Sequence, residues 1–397
     1  MNKGIEIARG KTKVLYEQPQ QPDMLVVAQT DTISSGDGAR TSVIAGKGRL
    51  AAQTTARVFR LLNLCGLPTH YLNGGEDDDD NEMLVRRCNM IPLEVVVRGV
   101  AAGSLVKRNP SIQRGAILVP RMVEFFVKDD ANHDPLISTD TIASGNIASP
   151  QEIGAMTEIS RLAFEVLAHA WRKRETLLVD LKVEFGRLTG GENKGQLVIA
   201  DVVDNDSWRI WPQGREDLML DKQLYRNLPE VDDAALQRVK AAYETVAEQV
   251  GSFPVMRPGM IAVISDHPDG NQQNTEIVQA LQQFGLPAVR HVASATRTPG
   301  FVLQLVQQLD ATFARLVFVA IGSDGSLREM LDGASTNPVI DGNRDALTVA
   351  LQAAKLLALE DTVLYGRTLL MQTNARSAIL QADAAINVPL QPNQALA

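Results

Sequence analysis

Residues 177–186, Leu-Leu-Val-Asp-Leu-Lys-Val-Glu-Phe-Gly, alternate apolar and charged side chains with a period of two. That period belongs to a β-strand, whose successive side chains leave opposite faces. Asp180, Lys182 and Glu184 share one face; Leu181, Val183 and Phe185 share the other, which is core. The segment Arg187 to Gln196, with Gly190, Gly191 and Gly195, reads as a hairpin turn. The returning strand ends its apolar run at Asp201. With Glu184 opposite Asp201 the two Cβ atoms would sit roughly 5 Å apart. Carboxylates that close repel unless a cation joins them. A hard divalent ion, held by one or two carboxylates and by phosphate oxygens, suits the pair, and Lys182 would face the same phosphates. A solvated face of an edge strand satisfies the same alternation. The following run, Asp204-Asn205-Asp206-Ser207-Trp208-Arg209-Ile210-Trp211-Pro212, is unusual for a surface loop and favours a site. Its Trp208–Trp211 part reads as a turn.

Composition narrows the class of partner. A chain of 397 residues is long enough for two or three domains. Its net charge of −8 argues against nucleic-acid or anionic-membrane partners, while leaving room for a local basic pocket. Cys65 and Cys88 have no metal-ligand spacing, which points to a reducing cytoplasm. The N-terminus has no apolar signal core, and no run approaches the ~20 apolar residues that span a bilayer.

In chain order, residues 5–30 read as short strands with a turn from Gln18 to Pro22. Gly10-Lys11-Thr12-Lys13 allows close backbone approach and sets two amines on one face, a phosphate clamp or an exposed basic strand. Asp31 to Arg40 is a small-residue loop carrying Asp37 and Arg40. Gly46-Lys47-Gly48 opens a helix to about Leu64. Glu94 and Arg98 interrupt the apolar run Leu93 to Val100, where a charge needs a partner or a ligand. Gly99 to Arg108 suits either a phosphate cradle or a tight helix contact. Val127 to Ser138 clusters Asp129, Asp130, His133 and Asp134 without regular metal spacing. A long helix runs from about Pro150 to Arg174, and another from Asp232 to Val250. Gly251 to Gly259, with two prolines, reads as the linker. Beyond it the rhythm is strand, helix, strand: a parallel α/β domain of about four strands, whose ligands would sit beyond the strand C-termini.

These motifs carry a resemblance. GKTK (10–13), SGDGAR (35–40), GKG (46–48), MIPLEVVVRGVAAGSLVKR (90–108), KDDANHDP (128–135), LVDLKVEFG (178–186) and IADVVDNDSWRIWP (199–212) together resemble the SAICAR synthetase family of purine biosynthesis. The last motif is most similar to the animal bifunctional form, in which a synthetase is fused to a C-terminal AIR carboxylase domain. Many bacterial members have Glu where Val202 stands.

The resemblance implies an α+β, two-lobed, ATP-binding synthetase domain over 1–252, with an ATP lobe of about 1–90 and a substrate lobe of about 91–252. A linker (253–258) and an α/β flavodoxin-like three-layer domain (259–397) follow. It implies ligation of L-aspartate to carboxyaminoimidazole ribotide (CAIR) with ATP and Mg²⁺. Glu184 and Asp201 are the expected metal ligands. Lys11, Lys13, Met90, Glu94 and Lys182 are expected at ATP. Asp37, Arg40, Arg98, Ser104, Asp129, Asp130, Asp134, Arg209 and Lys222 are expected at the other substrates, and Lys182, Asp180 and Arg209 are the expected catalytic groups. Residues 259–397 resemble the carboxylase in outline only. Thr296 stands where that family uses a catalytic histidine, the loop GSDGSLREM (322–330) departs from its pattern, and about thirty residues are missing after Ile340. The expectation is a non-catalytic domain in a homo-oligomer; the alternative is an enzyme that also carboxylates AIR.

Overall fold

The computed structural model describes residues 1–36, 38–77, 80–129, 132–253, 255, 259–268 and 271–386. The chain divides into two compact units, Met1–Phe253 and Pro254–Ala397. The first unit opens with β1 (Glu6–Arg9), β2 (Lys13–Glu17), β3 (Met24–Gln29), β4 (Thr32–Ser35), β5 (Arg40–Val43) and α1 (Lys47–Leu64). Strands β6 (Tyr71–Asn73), β7 (Glu82–Arg86) and β8 (Cys88–Val100) follow, then α2 (Gly103–Arg108), β9 (Ile117–Val127) and β10 (Leu136–Ile137). Helices α3 (Thr139–Ser144) and α4 (Pro150–Arg172) lead to β11 (Thr176–Leu188), β12 (Leu197–Ala200) and β13 (Trp208–Pro212). Helices α5 (Gln223–Arg226) and α6 (Asp233–Gly251) close the unit.

Two sheets result. One is β1-β2-β3-β7-β6; the other is β10-β9-β8-β11-β12, with β13 pairing the first half of β11. The alternation of β11 is realised as expected: Leu181, Val183 and Phe185 are buried, and α4 packs on β8 and β11. Helix α4 starts where its sequence says it should, with a Ser149–Glu152 capping box and Pro150 in its first turn. Its Trp171 stands edge-on to Trp208, ring centroids 5.4 Å apart, and to Phe253, 5.0 Å apart. Helix α6, capped by the Asp232 side chain on the Ala235 N–H, returns to pack on α1. There Arg57 donates to the Ala247 carbonyl at 2.8 Å.

The second unit runs β14 (Met260–Ser265), α7 (Asn271–Gln283), β15 (Ala288–Val292), α8 (Pro299–Thr312), β16 (Leu316–Ile321), α9 (Ser326–Ala334), β17 (Val339–Asp341), α10 (Ala346–Ala358) and α11 (Thr362–Ile386). Its four strands are parallel, ordered β15-β14-β16-β17. Both faces are covered. Ile261, Val263, Val317 and Val319 pack with α7 and α10. Ala262, Ile264, Phe318 and Ala320 pack with α8 and α9. Burial on both faces explains why the central strands β14 and β16 are continuous apolar runs.

The turn read over Trp208–Trp211 is instead strand β13, because Trp208, Ile210 and Trp211 bury their side chains against β11 and α4.

The start of α1 lies so close to β3 that a Cβ on Gly48 would come within 2.8 Å of the Gln29 carbonyl oxygen. That neighbour is backbone and cannot swing away. Gly48→Ala should therefore lower stability by about 1–3 kcal/mol through overpacking, with the denaturant slope unchanged. The shift of the urea midpoint measures it, and an unchanged midpoint would show that α1 can retreat from β3.

Candidate active site

A cleft of about 540 Å³ opens in the first unit beside the charged face of β11. Asp180, Lys182 and Glu184 all line it, together with Lys11 from the β1–β2 turn, Lys13 from the start of β2, and Glu94 and Arg98 from β8. Register explains the charge pattern. Across β8 and β11, Arg98 stands opposite Asp180, and Glu94 stands opposite Glu184. Two carboxylates facing each other across a ladder repel, so each needs its own cation. Lys182 Nζ donates to Glu94 Oε1 at 2.6 Å, and Lys128 Nζ donates to Glu184 Oε2 at 2.7 Å.

Glu184 does not face Asp201, contrary to the reading from sequence. Its partner on β12 is Ala200. Asp201 lies one residue past the end of the strand in the left-handed region, φ +68°. That turn still brings its carboxylate into the cleft, where Lys13 binds it. Glu184 and Asp201 are hard oxygen donors, each holding an ammonium group. A divalent cation could take the place of either ammonium, so the pair fits such an ion.

A second cluster is built on Asp180. Arg98 reaches it with Nη1 at 3.3 Å, Ser104 Oγ with Nη2 at 3.1 Å, and Glu124 with Nε at 2.5 Å. Arg98 is only 3% exposed. Arg209 also donates to Asp180. The Arg209 guanidinium lies over Gly103, where a Cβ would meet Nη2 at 2.4 Å, and Gly103 has φ +55°. The left-handed backbone favours glycine there, and a Cβ would push the guanidinium aside. A third cluster joins Asp206 to Lys222 and to Arg226 Nη2, the latter at 3.1 Å.

The electrostatics follow from burial and neighbours. Burial pushes the Lys13 amine down to about 8, with Glu184 opposing it. Burial also works against charge on Lys182, but Glu94, Asp206 and Glu184 outweigh it and hold the amine above its ordinary value. Burial alone would raise Asp206; Lys222, Lys182 and Arg226 instead hold it at about 2. At neutral pH the cleft therefore presents fixed charges of both signs.

Of the residues expected from sequence, Lys11, Lys13, Glu94, Arg98, Ser104, Asp134, Asp180, Lys182, Glu184, Asp201, Arg209 and Lys222 line the cleft. Met90 does not. It is 43% exposed, two residues before Pro92 on the strand that carries Glu94. Arg40 donates to the Leu228 carbonyl at 2.7 Å and is not among the lining residues. Asp129 belongs to a turn: its N–H donates to Asp134 Oδ1 at 2.7 Å, and its carboxylate accepts from Asn132 at 2.7 Å. Asp37 and Asp130 lie outside the described residues. Sequence reasoning gave no role to Lys128, Asp206, Glu124 or Arg226. Lys128 opens a motif read only for its acids, and the partners of the other three are far off in sequence.

Comparison with known proteins bears directly on this cleft. The SAICAR synthetase family model matches residues 6–246, a span that contains every cleft residue named above. The chain belongs to the SAICAR synthetase family. It is 50% identical over 253 residues to a phosphoribosylaminoimidazole-succinocarboxamide synthase of Chloroflexus aurantiacus, covering 64% of this chain and 98% of that one. A relative so named from a Roseiflexus species is 46% identical, covering 64% and 99%. A bifunctional phosphoribosylaminoimidazole carboxylase/succinocarboxamide synthetase of Drosophila melanogaster is 35% identical over 345 residues, covering 85% of this chain and 79% of that one. Among solved structures, a SAICAR synthetase in complex with ADP aligns with TM-score 0.54 and 33% identity over 63% of this chain and all of that chain. The synthase of Ehrlichia chaffeensis aligns with TM-score 0.56 and 28% identity over the same shares. Among the described residues no helix is long and apolar enough to cross a membrane.

Asp221 holds the family's tryptophan motif from behind. One oxygen accepts from the Ile210 N–H at 3.1 Å and the other from the Gln223 N–H at 2.9 Å. Burial raises its carboxyl to about 6. The folded state thus binds more protons than the unfolded state between about 4 and 6. The resulting stability is fully present below the unfolded value and is lost as pH rises through about 6. Asp221→Asn removes this titration. The stability lost in the variant should shrink by about 2–3 kcal/mol between pH 4 and pH 7. Urea melts of both proteins across that range would show it; a pH-independent difference would place Asp221 in an unburied state.

Proposed function

We propose that the chain joins L-aspartate to CAIR, giving SAICAR, with ATP becoming ADP and phosphate. The observation that supports this most is the meeting of Lys13, Lys128 and Lys182 with Glu184 and Asp201 in one cleft. A carboxylate is a poor electrophile. A CAIR carboxylate oxygen would attack the γ-phosphorus, breaking the bond to the β-phosphate oxygen and giving an acyl phosphate and ADP. The aspartate amine would then attack the acyl carbon, expelling phosphate and shedding a proton. Phosphoryl transfer needs alignment and charge neutralisation rather than covalent help from protein.

Lys11, Lys13 and Lys182 neutralise the nucleotide phosphates, with Glu94 fixing the Lys182 ammonium. Met90, further along β8, meets the adenosine. Glu184 and Asp201 hold Mg²⁺, which when bound neutralises phosphate charge. Ser104 and Arg209 take the ribotide phosphate or carboxylate. Arg98, engaged by Glu124, Asp180 and Ser104, braces that side. Lys222 and Asp134, with Asp129, Asp130, Asp37 and Arg40 around them, shape the remaining substrate side. The absence of a disulfide between Cys65 and Cys88 fits a cytoplasmic enzyme.

Omitting each substrate in turn tests the reading. ADP release should require CAIR and should rise on adding aspartate, with SAICAR formed in equal amount; aspartate-independent ADP release with a phosphorylated product would make the protein a kinase. Glu184→Ala should slow turnover roughly 10³-fold, about 4 kcal/mol, at saturating Mg²⁺.

Among the described residues the second unit has four strands, in the order of the first four of a flavodoxin-like sheet. Thr296 Oγ1 lies 3.2 Å from Ser294 Oγ at the end of β15, and a hydroxyl cannot shuttle protons near neutral pH as an imidazole can. The unit also exposes Phe301, Leu303, Leu347, Leu356, Leu359, Ile379 and Leu380. These two features favour assembly over carboxylation. The intact protein should not carboxylate AIR, and a chain ending at Phe253 should show a smaller native mass while keeping substantial synthetase activity. Carboxylation, or an unchanged assembly after truncation, would overturn the corresponding half of the reading.

A further inference from the structure

We propose that His70 is a positioning residue for the metal carboxylate of Asp201; this rests on the reading of Glu184 and Asp201 as the metal pair. Asp201 is the first residue beyond β12 and its backbone is left-handed, φ +68°. Nothing in strand geometry would hold it there. Its carbonyl oxygen lies 3.2 Å from His70 Nε2. A carbonyl oxygen only accepts, so Nε2 carries the proton and donates.

His70 is itself fixed on every side. It is 6% exposed, and its ring stands edge-on to Phe59 with centroids 5.5 Å apart. Its N–H donates to the Ile199 carbonyl at 2.8 Å, and the Ile199 N–H donates to the Pro68 carbonyl at 2.9 Å. Thr69 and Ile199 form a parallel bridge. On the other side the Arg86 N–H donates to the His70 carbonyl at 2.7 Å, tying the segment to the end of β7. Residues 68–70 therefore act as a short splint along the outer edge of β12. The splint's last contact, made by the imidazole, lands on the peptide that follows Asp201. With the Ile199 and Asp201 carbonyls both held, the Asp201 side chain leaves the backbone in one direction, toward Lys13 and the cleft. Loss of the bond would strip a partner from that carbonyl and free the left-handed turn to relax.

The test reads metal binding without catalysis. Mn²⁺ affinity in the presence of ADP is measured by electron paramagnetic resonance of free Mn²⁺. His70→Phe keeps the ring volume and removes the donor; His70→Asn keeps polarity but is too short to reach; His70→Gln keeps a donor near Nε2; Asp201→Asn is the control. Phe and Asn should weaken Mn²⁺ about tenfold or more, Gln no more than about threefold, and the Mg²⁺ concentration for half-maximal turnover should move by the same factors. The KM for CAIR should stay within about twofold, which a general loss of fold would not leave intact. If His70→Phe does not fold, His70→Asn decides. Wild-type Mn²⁺ affinity in either donor-less variant, with Asp201→Asn impaired, would overturn the positioning role. Wild-type affinity in Asp201→Asn would overturn the metal assignment instead.

Discussion

Glu94 and Glu184 face each other across adjacent strands of one sheet, and the first unit's chemistry depends on that opposition. Such a pair is unfavourable unless each member is matched. Lys182 and Lys128 do the matching, one from within the strand and one from beyond the end of β9. The result is a face where carboxylates and amines interleave at bonding distance. The geometry is held from the opposite side of the sheet. Leu181, Val183 and Phe185 are locked under α4, and a one-residue slip of β11 would send Asp180, Lys182 and Glu184 into the core.

Buried arginine serves this sheet as a brace. Arg98 spends donors on Glu124, Asp180 and Ser104, and Asp180 in turn accepts from Arg209. A planar fork with five donors can join three partners where an ammonium would reach them less well. Arg209 is the more exposed end of this chain of contacts, and the missing Cβ of Gly103 gives it room. The two arginines therefore differ in role although both line the cleft.

Local rules were enough for much of this. The period of β11 placed three of its charged residues, and the rhythm of strand, helix, strand marked the second unit as a parallel α/β domain. Reading failed where a distant contact overrides local pattern. Trp208 to Trp211 looks like a turn because Asp204 to Ser207 before it is one, yet the tryptophans are drawn into a strand by α4. Asp201 missed its expected place opposite Glu184 because the hairpin register sets Ala200 there, and Asp201 falls just past β12 in a left-handed turn that bonds a histidine 131 positions away. Lys128 was invisible as a partner of Glu184 for the same reason, since 56 residues separate them. Arg40 sits in a motif of the family, yet its guanidinium is engaged by the Leu228 carbonyl.

The second unit separates what holds a fold from what performs a reaction. Its two cores lie on either face of β14 to β17 and are built from strand and helix residues, with the loops at the strand ends contributing little. Ser265, Ser294, Thr296, Gly322 and Asn343 gather at or just beyond those strand ends and bond mainly to one another and to nearby backbone. Thr296 lies on an exposed loop and belongs to neither core. Such a domain tolerates changes in these loops and stays folded, because burial of apolar surface, and not the loop chemistry, stabilises it. The physical requirement that remains is on its surface. The apolar residues that α8, α10 and α11 leave exposed are costly in water unless another surface covers them, and that cost acts on the fold whether or not the loops react.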